Sequence, residues 1–127
     1  MESDKLKIII IIMGKSILRD KSYIFAIRIV KLSQYLHTEK KEYVLSKQIL
    51  RSGTAIGALI REAEFGQSKP DFISKMNISL KEANETEYWL CLLKDTDYIQ
   101  LNIFESMQSE CKELIAMLVS TIKTSKQ

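Results

Sequence analysis

Apolar residues recur at helical spacing along most of this chain, and few residues interrupt the pattern. Only four glycines and one proline occur among its 127 residues, which is too few for the tight turns of a β-sandwich or barrel. Gaps of three and four residues between apolar positions place them on one face of a helix. The sequence therefore predicts long amphipathic helices.

Four such segments are predicted, over residues 22–37, 42–65, 70–97 and 104–122, and Gly66 and Pro70 mark the clearest boundary. Short connections make successive helices antiparallel neighbours. The predicted fold class is all-α: an antiparallel up-down-up-down four-helix bundle over residues 20–127, with a short N-terminal extension. The four apolar stripes are Phe25, Ile29, Leu32 and Leu36; Leu45, Ile49, Ser52, Ile56, Leu59 and Ala63; Ile73, Met76, Leu80, Ala83, Glu87 and Leu90; and Phe104, Met107, Cys111, Leu114, Leu118 and Ile122.

Residues 1–19 form the extension, and its run of apolar residues 8–13 is too short to cross a membrane core, which takes about 20 helical residues. We therefore expect no membrane partner. Gly14-Lys15-Ser16 imitates the end of a phosphate-binding loop, but Ile9 stands where that motif requires glycine, which argues against nucleotide binding. Two interpretations stay open: a strand-like arm that pairs with another chain, or a disordered stretch upstream of a translation start at Met13.

The residue types that catalysis and metal binding require are scarce. His37 is the single histidine, and Cys91 and Cys111 are the two cysteines. The spacing of the two thiols does not suit a metal centre, and neither thiol neighbours His37 as a nucleophile-base pair would require. We expect no cofactor, no metal and no enzymatic activity. Two cysteines without a secretory signal also predict reduced thiols and a cytoplasmic protein.

Polar residues stand where the second and third helices should face each other. A turn near residue 68 brings Ser52 opposite Asn84 and Arg51 opposite Glu85, with Glu87 one turn away. We predict a structural polar layer made by Arg51, Ser52, Asn84, Glu85 and Glu87 that fixes register or oligomeric state. The alternative is a pair of acid-base carboxylates, which would require a substrate pocket that also includes Glu62.

Small residues in the middle of the second helix predict close packing. Gly53 and Gly57 each cost about 1 kcal/mol relative to alanine within a helix, so another helix, of the same bundle or of another subunit, should approach there. Four hydrophobic residues lie off the main apolar stripe of the third helix: Tyr88, Trp89, Leu92 and Leu93. They favour a second covered face and hence oligomerisation, and the alternative is a wide contact with the core.

Charge divides unevenly along the chain. Residues 1–70 have a net charge of +6 and residues 71–127 a net charge of −3, although the whole chain has only +3. Basic residues interleaved with Tyr35 and Phe65 suit a phosphate backbone with exposed bases; the alternative is an ordinary solvated helix face. The predicted nucleic-acid-binding residues are Lys21, Arg28, Lys31, Lys47, Arg61 and Lys69.

Long ordered runs of the sequence resemble the bacterial four helix bundle protein family, whose members include proteins encoded in intervening sequences of 23S ribosomal RNA genes and the accessory variability protein of diversity-generating retroelements. The resemblance covers nearly all of residues 20–126. It departs at Leu59, where the family usually has Asn, and in residues 1–19. The runs that carry it are DKS at 20–22, FA at 25–26, YVLSKQ at 43–48, LRSGT at 50–54, IREA at 60–63, FISKM at 72–76 and KEANETEYWL at 81–90.

The resemblance implies an antiparallel four-helix bundle that assembles as a ring-like homopentamer. For the retroelement accessory protein, it also implies a basic barrel that binds nucleic acid and a reverse transcriptase. We therefore expect a non-enzymatic homo-oligomer that binds RNA or DNA through a basic face of the first two helices. The alternative is a protein-protein scaffold or accessory subunit for a partner such as a reverse transcriptase, without direct nucleic-acid binding.

Overall fold

The computed structural model describes residues 2–127, and among these residues it contains helices and no strand. The helices are α1 (Glu2–Thr38), α2 (Leu45–Glu64), α3 (Lys69–Asp95) and α4 (Leu101–Lys126). Within the first sixteen residues, the described side chains are those of Asp4, Lys5, Leu6, Ile8, Ile9 and Met13. The all-α class predicted from the sequence is confirmed.

Residues at the helix ends stop each helix and reverse the chain over a short distance. Lys41, with φ of 55°, and Asp97, with φ of 64°, adopt the left-handed conformation in the first and third connections. Ser68 caps α3, since its side-chain oxygen accepts a hydrogen bond from the amide of Asp71 at 3.2 Å. Pro70 lies in the first turn of α3, as the sequence predicts.

Each helix packs against two others. Both α1 and α3 lie next to α2 and α4. In the part of the chain that the structure describes, no Cα atoms of the pairs α1–α3 and α2–α4 lie within 8 Å of each other. Ser33 of α1 donates a hydrogen bond to the carbonyl of Ser46 at 2.9 Å, whereas Ser22 lies beside Gly57. Residue numbers therefore rise along α2 as they fall along α1.

The apolar core lies between the helices and confirms the predicted stripes of α1 and α4. Every residue of those two stripes is buried, because their three- and four-residue spacing follows the helical period without a polar interruption. These buried residues are Phe25, Ile29, Leu32, Leu36, Phe104, Met107, Cys111, Leu114, Leu118 and Ile122.

The buried line of α3 differs from the predicted stripe. Ile73, Leu80 and Glu87 are only half-buried, whereas Ser79 and Thr86 are fully buried. Hydroxyl groups can be buried in a core when they are hydrogen-bonded. The hydroxyl of Ser79 donates a hydrogen bond to a carbonyl oxygen of α2 at 2.9 Å. The hydrophobic pattern therefore predicted only part of the face of α3 that points into the core.

Residues 2–19 continue α1 as helix, whereas the sequence suggests a strand-like arm or a disordered stretch there. A strand would require a second backbone to pair with, whereas a helix satisfies its own backbone hydrogen bonds. Leu6, Ile8, Ile9 and Met13 are all more than half exposed. Met1 lies outside the described residues, and the division of the chain at residue 20 stays a prediction.

Candidate nucleic-acid interface

The predicted basic residues do not form one continuous stripe. Lys21 and Arg28 of α1 turn towards α4, whereas Arg61 lines a groove between α1 and α2. Successive helix positions differ by about 100°, so each residue's position on its helix decides which neighbouring helix it faces. The structure therefore places the cations on several surfaces.

The groove between α1 and α2 combines basic and aromatic side chains. It has a volume of about 600 Å³ and is lined by Arg19 and Tyr23 of α1 and by Arg61 and Phe65, with Gly57 also in its lining. Tyr23 is 60% exposed and Phe65 is 81% exposed, so both rings are available to a ligand. Guanidinium groups bind phosphate and also stack on planar rings, which makes this groove chemically suited to nucleic acid.

Two of the predicted cations are partly neutralised by α4. Lys21 pairs with Glu113, and Arg28 pairs with Glu110 and donates a hydrogen bond to the hydroxyl of Ser106 at 3.0 Å. These contacts join α1 to α4 at the surface. The charge of Lys21 and Arg28 is therefore less available to a phosphate backbone than the sequence predicts.

The remaining predicted cations are exposed. Among the described side chains, Lys31, Lys47, Arg61 and Lys69 make no ion pair. Lys69 lies at the start of α3 and lines a cavity of about 480 Å³ that it shares with the end of α4. These four residues keep the charge that phosphate binding requires.

The predicted polar layer contains an exposed ion-pair cluster. Arg51 of α2 contacts the carboxylates of Glu82 and Glu85 of α3 at 2.9 Å and 2.5 Å. The hydrogen bond from Arg51 lowers the pKa of Glu85, and the same bond raises the pKa of Arg51. The predicted pairing of Arg51 with Glu85 is therefore present, at the surface and not in the core.

The buried part of the layer joins Ser52 to Thr86 in place of Asn84. The hydroxyl oxygens of Ser52 and Thr86 are 3.0 Å apart and fully buried. Asn84 is exposed and donates to the carbonyl of Leu80 in its own helix. A shift of two residues along a helix rotates a side chain by about 200°, so the small difference in register moves Asn84 out of the interface.

Glu87 also lies outside the Ser52–Thr86 pair. It is half-buried, and its Oε2 atom is buried without a hydrogen-bond partner among the described residues. Burial, reinforced by the charge of Glu87 and by Cys91, raises the pKa of the Cys111 thiol to about 12. Cys111 donates to the carbonyl of Ala83 at 3.3 Å, and both cysteines are free.

Close approach of α1 accounts for Gly53 of α2, and α1 also lies beside Gly57. A Cβ atom on Gly53 would lie 2.7 Å from side-chain atoms of Ile29, and one on Gly57 would lie 3.2 Å from the hydroxyl oxygen of Ser22. Contacts below 3 Å do not occur in packed cores without displacement. The partner helix that the sequence left unassigned is therefore α1 of the same chain.

Sequence patterns missed several residues of these surfaces. Arg19 was assigned to the extension, although it lines the α1–α2 groove. Lys40 lies between the predicted helices 22–37 and 42–65 and was not predicted to line any surface, although its Nζ atom lies 5.9 Å from the centre of the Tyr35 ring. Extending the helical pattern of the first helix to residues before 20 would have placed Arg19 on the same face as Tyr23. No sequence pattern predicts that Lys40 lies near Tyr35.

Across the described part of the chain, no group of three or more His, Cys, Asp or Glu residues could hold a metal ion. No described helix is long and apolar enough to cross a membrane.

Comparison with known proteins gives the chain a family. A solved structure of a protein of unknown function, from the S23 ribosomal protein family of Bacteroides thetaiotaomicron, is 56% identical and superimposes with a TM-score of 0.86. The match covers 87% of this chain and 98% of that chain. No curated protein matches. The model of the 23S rRNA-intervening sequence protein family matches residues 15–120, and the chain therefore belongs to that family.

Proposed function

We propose that the protein is a non-enzymatic, homo-oligomeric bundle that binds nucleic acid through basic residues of α1 and α2. The observation that carries the proposal is the α1–α2 groove, where the exposed Arg61 accompanies the exposed rings of Tyr23 and Phe65. Arg19 also lines this groove, but it is paired with Asp20 at 3.4 Å and with Glu64 at 3.9 Å. Cations neutralise backbone phosphates, and exposed rings stack on bases. This combination on one surface is typical of nucleic-acid binding.

Four of the six predicted cations supply most of the attraction to phosphate. Lys31, Lys47, Arg61 and Lys69 are exposed and make no ion pair with a described side chain. Lys21 and Arg28 contribute less, since carboxylates of α4 already neutralise them. Of these residues, Lys47 and Arg61 lie on α2. Lys31 lies on the side of α1 that borders α4, and Lys69 lies at the start of α3.

The proposed architecture is an antiparallel up-down-up-down four-helix bundle. Contacts between α2 and α3 support it, because Ser52 meets Thr86 whereas Ile56 meets Ser79. Contacts between α1 and α4 run in the same opposed sense, from Lys21 with Glu113 to Arg28 with Ser106 and Glu110. Short connections join each pair of helices, as this topology requires.

The proposed homo-oligomer rests on apolar surface that this chain leaves uncovered. Tyr88 of α3 is 60% exposed and contacts Trp89 edge-on at 5.0 Å between ring centroids. Ile24 and Ile27 on α1 are also exposed. Exposed apolar patches of this kind mark interfaces between proteins. A ring of five copies is the assembly that the family resemblance implies.

A protein-protein scaffold, with a partner such as a reverse transcriptase, is the second candidate function. The ion pairs of Lys21 and Arg28 with α4 favour it, because they remove cations from the candidate interface. The same exposed residues Tyr88, Ile24 and Ile27 would then contact the partner. This candidate predicts no affinity for nucleic acid at any salt concentration.

An electrophoretic mobility shift at low ionic strength tests the proposal with two matched variants. Arg61→Glu places a negative charge in the α1–α2 groove, and we expect it to weaken RNA binding at least fivefold. Lys112→Glu makes the same change in net charge at an exposed position of α4 outside that groove, and we expect a smaller effect. Equal effects of both variants, or no shift with the unmodified protein, would contradict the proposal.

A further inference from the structure

Two neighbouring cavities meet at the end of the protein where α1 ends and α3 turns into α4. Their volumes are about 410 Å³ and 420 Å³, and both are lined by Tyr35, Ile99 and Gln100. The three shared residues form the wall between them. Because neither cavity belongs to the α1–α2 groove, this end of the bundle is a separate candidate site.

Cations stand on both sides of the shared wall. Arg28 and Lys31 line the first cavity, whereas Lys40 and Lys94 line the second. Carboxylates already pair with Arg28 and Lys94, the latter through Asp95 at 3.4 Å. Lys31 and Lys40 make no ion pair with a described side chain, so each cavity keeps one unpaired cation. The carboxylate of Asp97 also lines the second cavity and offsets part of its positive charge.

The wall itself offers a flat ring and an amide. Tyr35 is 40% exposed, and the ammonium group of Lys40 lies 5.9 Å from its ring centre. Gln100 is exposed and carries both donor and acceptor atoms on its side chain. An aromatic ring can stack on any base, and an amide can hydrogen-bond to a base edge.

We propose that these two cavities bind unpaired bases of a single-stranded nucleic acid, with Tyr35 as the stacking platform and Lys31 and Lys40 on the flanking phosphates. The inference rests on the proposed nucleic-acid binding and adds a substrate preference to it. Bases in a duplex are stacked and paired, so their faces cannot reach Tyr35. The protein therefore binds a single strand more tightly than a duplex of the same length.

Fluorescence anisotropy with a labelled 20-nucleotide RNA, alone and annealed to its complement, tests this preference in the full-length protein. We expect the single strand to bind about tenfold more tightly than the duplex. Tyr35→Leu should weaken single-strand binding about tenfold, since stacking on one aromatic side chain contributes about 1–3 kcal/mol per base. The same variant should leave duplex binding unchanged, because the duplex contacts only the cations.

Two further variants keep the result interpretable. Tyr35→Phe retains the ring and should bind as the unmodified protein does. Tyr43→Leu removes an exposed ring that lines neither cavity, and it should also bind normally. Circular dichroism of Tyr35→Leu checks that this substitution, at a partly exposed position, leaves the helices intact.

The outcomes separate this inference from the function on which it rests. Equal affinity for single strand and duplex, or a preference that survives Tyr35→Leu, would overturn the stacking site while leaving nucleic-acid binding intact. Absence of binding to both RNAs at low salt would overturn the proposed function together with the inference.

Discussion

Alanine substitutions at Gly53 and Gly57 test how closely α1 approaches α2 at each position. Gly53→Ala would place a methyl group 2.7 Å from side-chain atoms of Ile29, which is fully buried. Overpacking of this kind outweighs the gain in helix propensity, so we expect the free energy of unfolding to fall by about 1–2 kcal/mol. Urea denaturation measures the change.

The control is Gly57→Ala, whose methyl group would lie 3.2 Å from the Ser22 hydroxyl oxygen. A shift of a few tenths of an ångström relieves that contact, and alanine favours the helix by about 1 kcal/mol. We therefore expect Gly57→Ala to be neutral or slightly stabilising. If the two variants were equally destabilised, the difference in packing that the structure shows would be wrong.

Glu85 makes the stability of the protein depend on pH. Its hydrogen bond from Arg51 lowers its pKa below the ordinary value of 4.5, so the carboxylate stabilises the fold above that value and loses this contribution as the pH falls through the folded-state pKa. Glu85→Gln should reduce stability at pH 7 by less than about 1 kcal/mol, since the pair is solvent-exposed. Thermal unfolding from pH 7 to pH 3 should show a shallower loss in the variant.

Glu105→Gln is the control for that experiment, because it removes an exposed carboxylate that makes no ion pair with a described side chain. We expect its stability to fall with acidification as steeply as that of the unmodified protein. An identical pH dependence for Glu85→Gln would show that the Arg51 contact does not favour the charged carboxylate.

At the level of helices, the buried hydroxyl groups of Ser52 and Thr86 join α2 to α3. Thr86→Val leaves the buried Ser52 hydroxyl without its partner 3.0 Å away, and we expect a loss of about 1 kcal/mol in unfolding free energy. The double variant Ser52→Ala with Thr86→Val removes both hydroxyls, so it should cost less than the sum of the two single changes. Additive losses in urea denaturation would contradict the coupling.

How well the sequence predicts each helix depends on what lies in its core-facing line. The stripe of α4 contains no oxygen-bearing side chain and was predicted residue for residue. The stripe of α3 was not, because Ser79 and Thr86 are polar in sequence yet satisfied by hydrogen bonds to α2. A hydrophobicity pattern contains no information about the partner that makes a polar residue acceptable in a core.

The N-terminal part of α1 shows a related limit of prediction from sequence. Its run of isoleucines has high strand propensity, yet residues 2–19 are helical in the structure. Strand propensity describes how a residue fits a pleated, paired surface, and none of the described residues forms such a surface. The isoleucine run therefore forms helix despite its strand propensity, because no second strand pairs with it among the described residues.

For the whole molecule, assembly is the first property to measure. Native mass spectrometry should find a multiple of the 14.7 kDa chain mass, and the family resemblance implies five copies. Tyr88→Lys would place a charge on the exposed ring position of α3 and should shift the distribution towards smaller species. A protein that is monomeric at micromolar concentration would contradict the proposed assembly.

The candidate interface was only partly predictable because surfaces depend on how helices are placed together. Charge patterning identified Arg61 and Lys31 correctly as exposed cations. The same patterning could not reveal that Glu113 and Glu110, far along the chain, neutralise Lys21 and Arg28. Pairing between distant residues follows from packing and is not recorded in local spacing.

The salt dependence of RNA binding tests the central claim most directly. For a protein that neutralises backbone phosphates, the logarithm of the binding constant falls linearly with the logarithm of the salt concentration. We predict such a decline for the unmodified protein, and a slope reduced by about one in Arg61→Ala, which loses a single phosphate contact. Binding that does not change with salt, or no binding even at low salt, would contradict a basic nucleic-acid interface on α1 and α2.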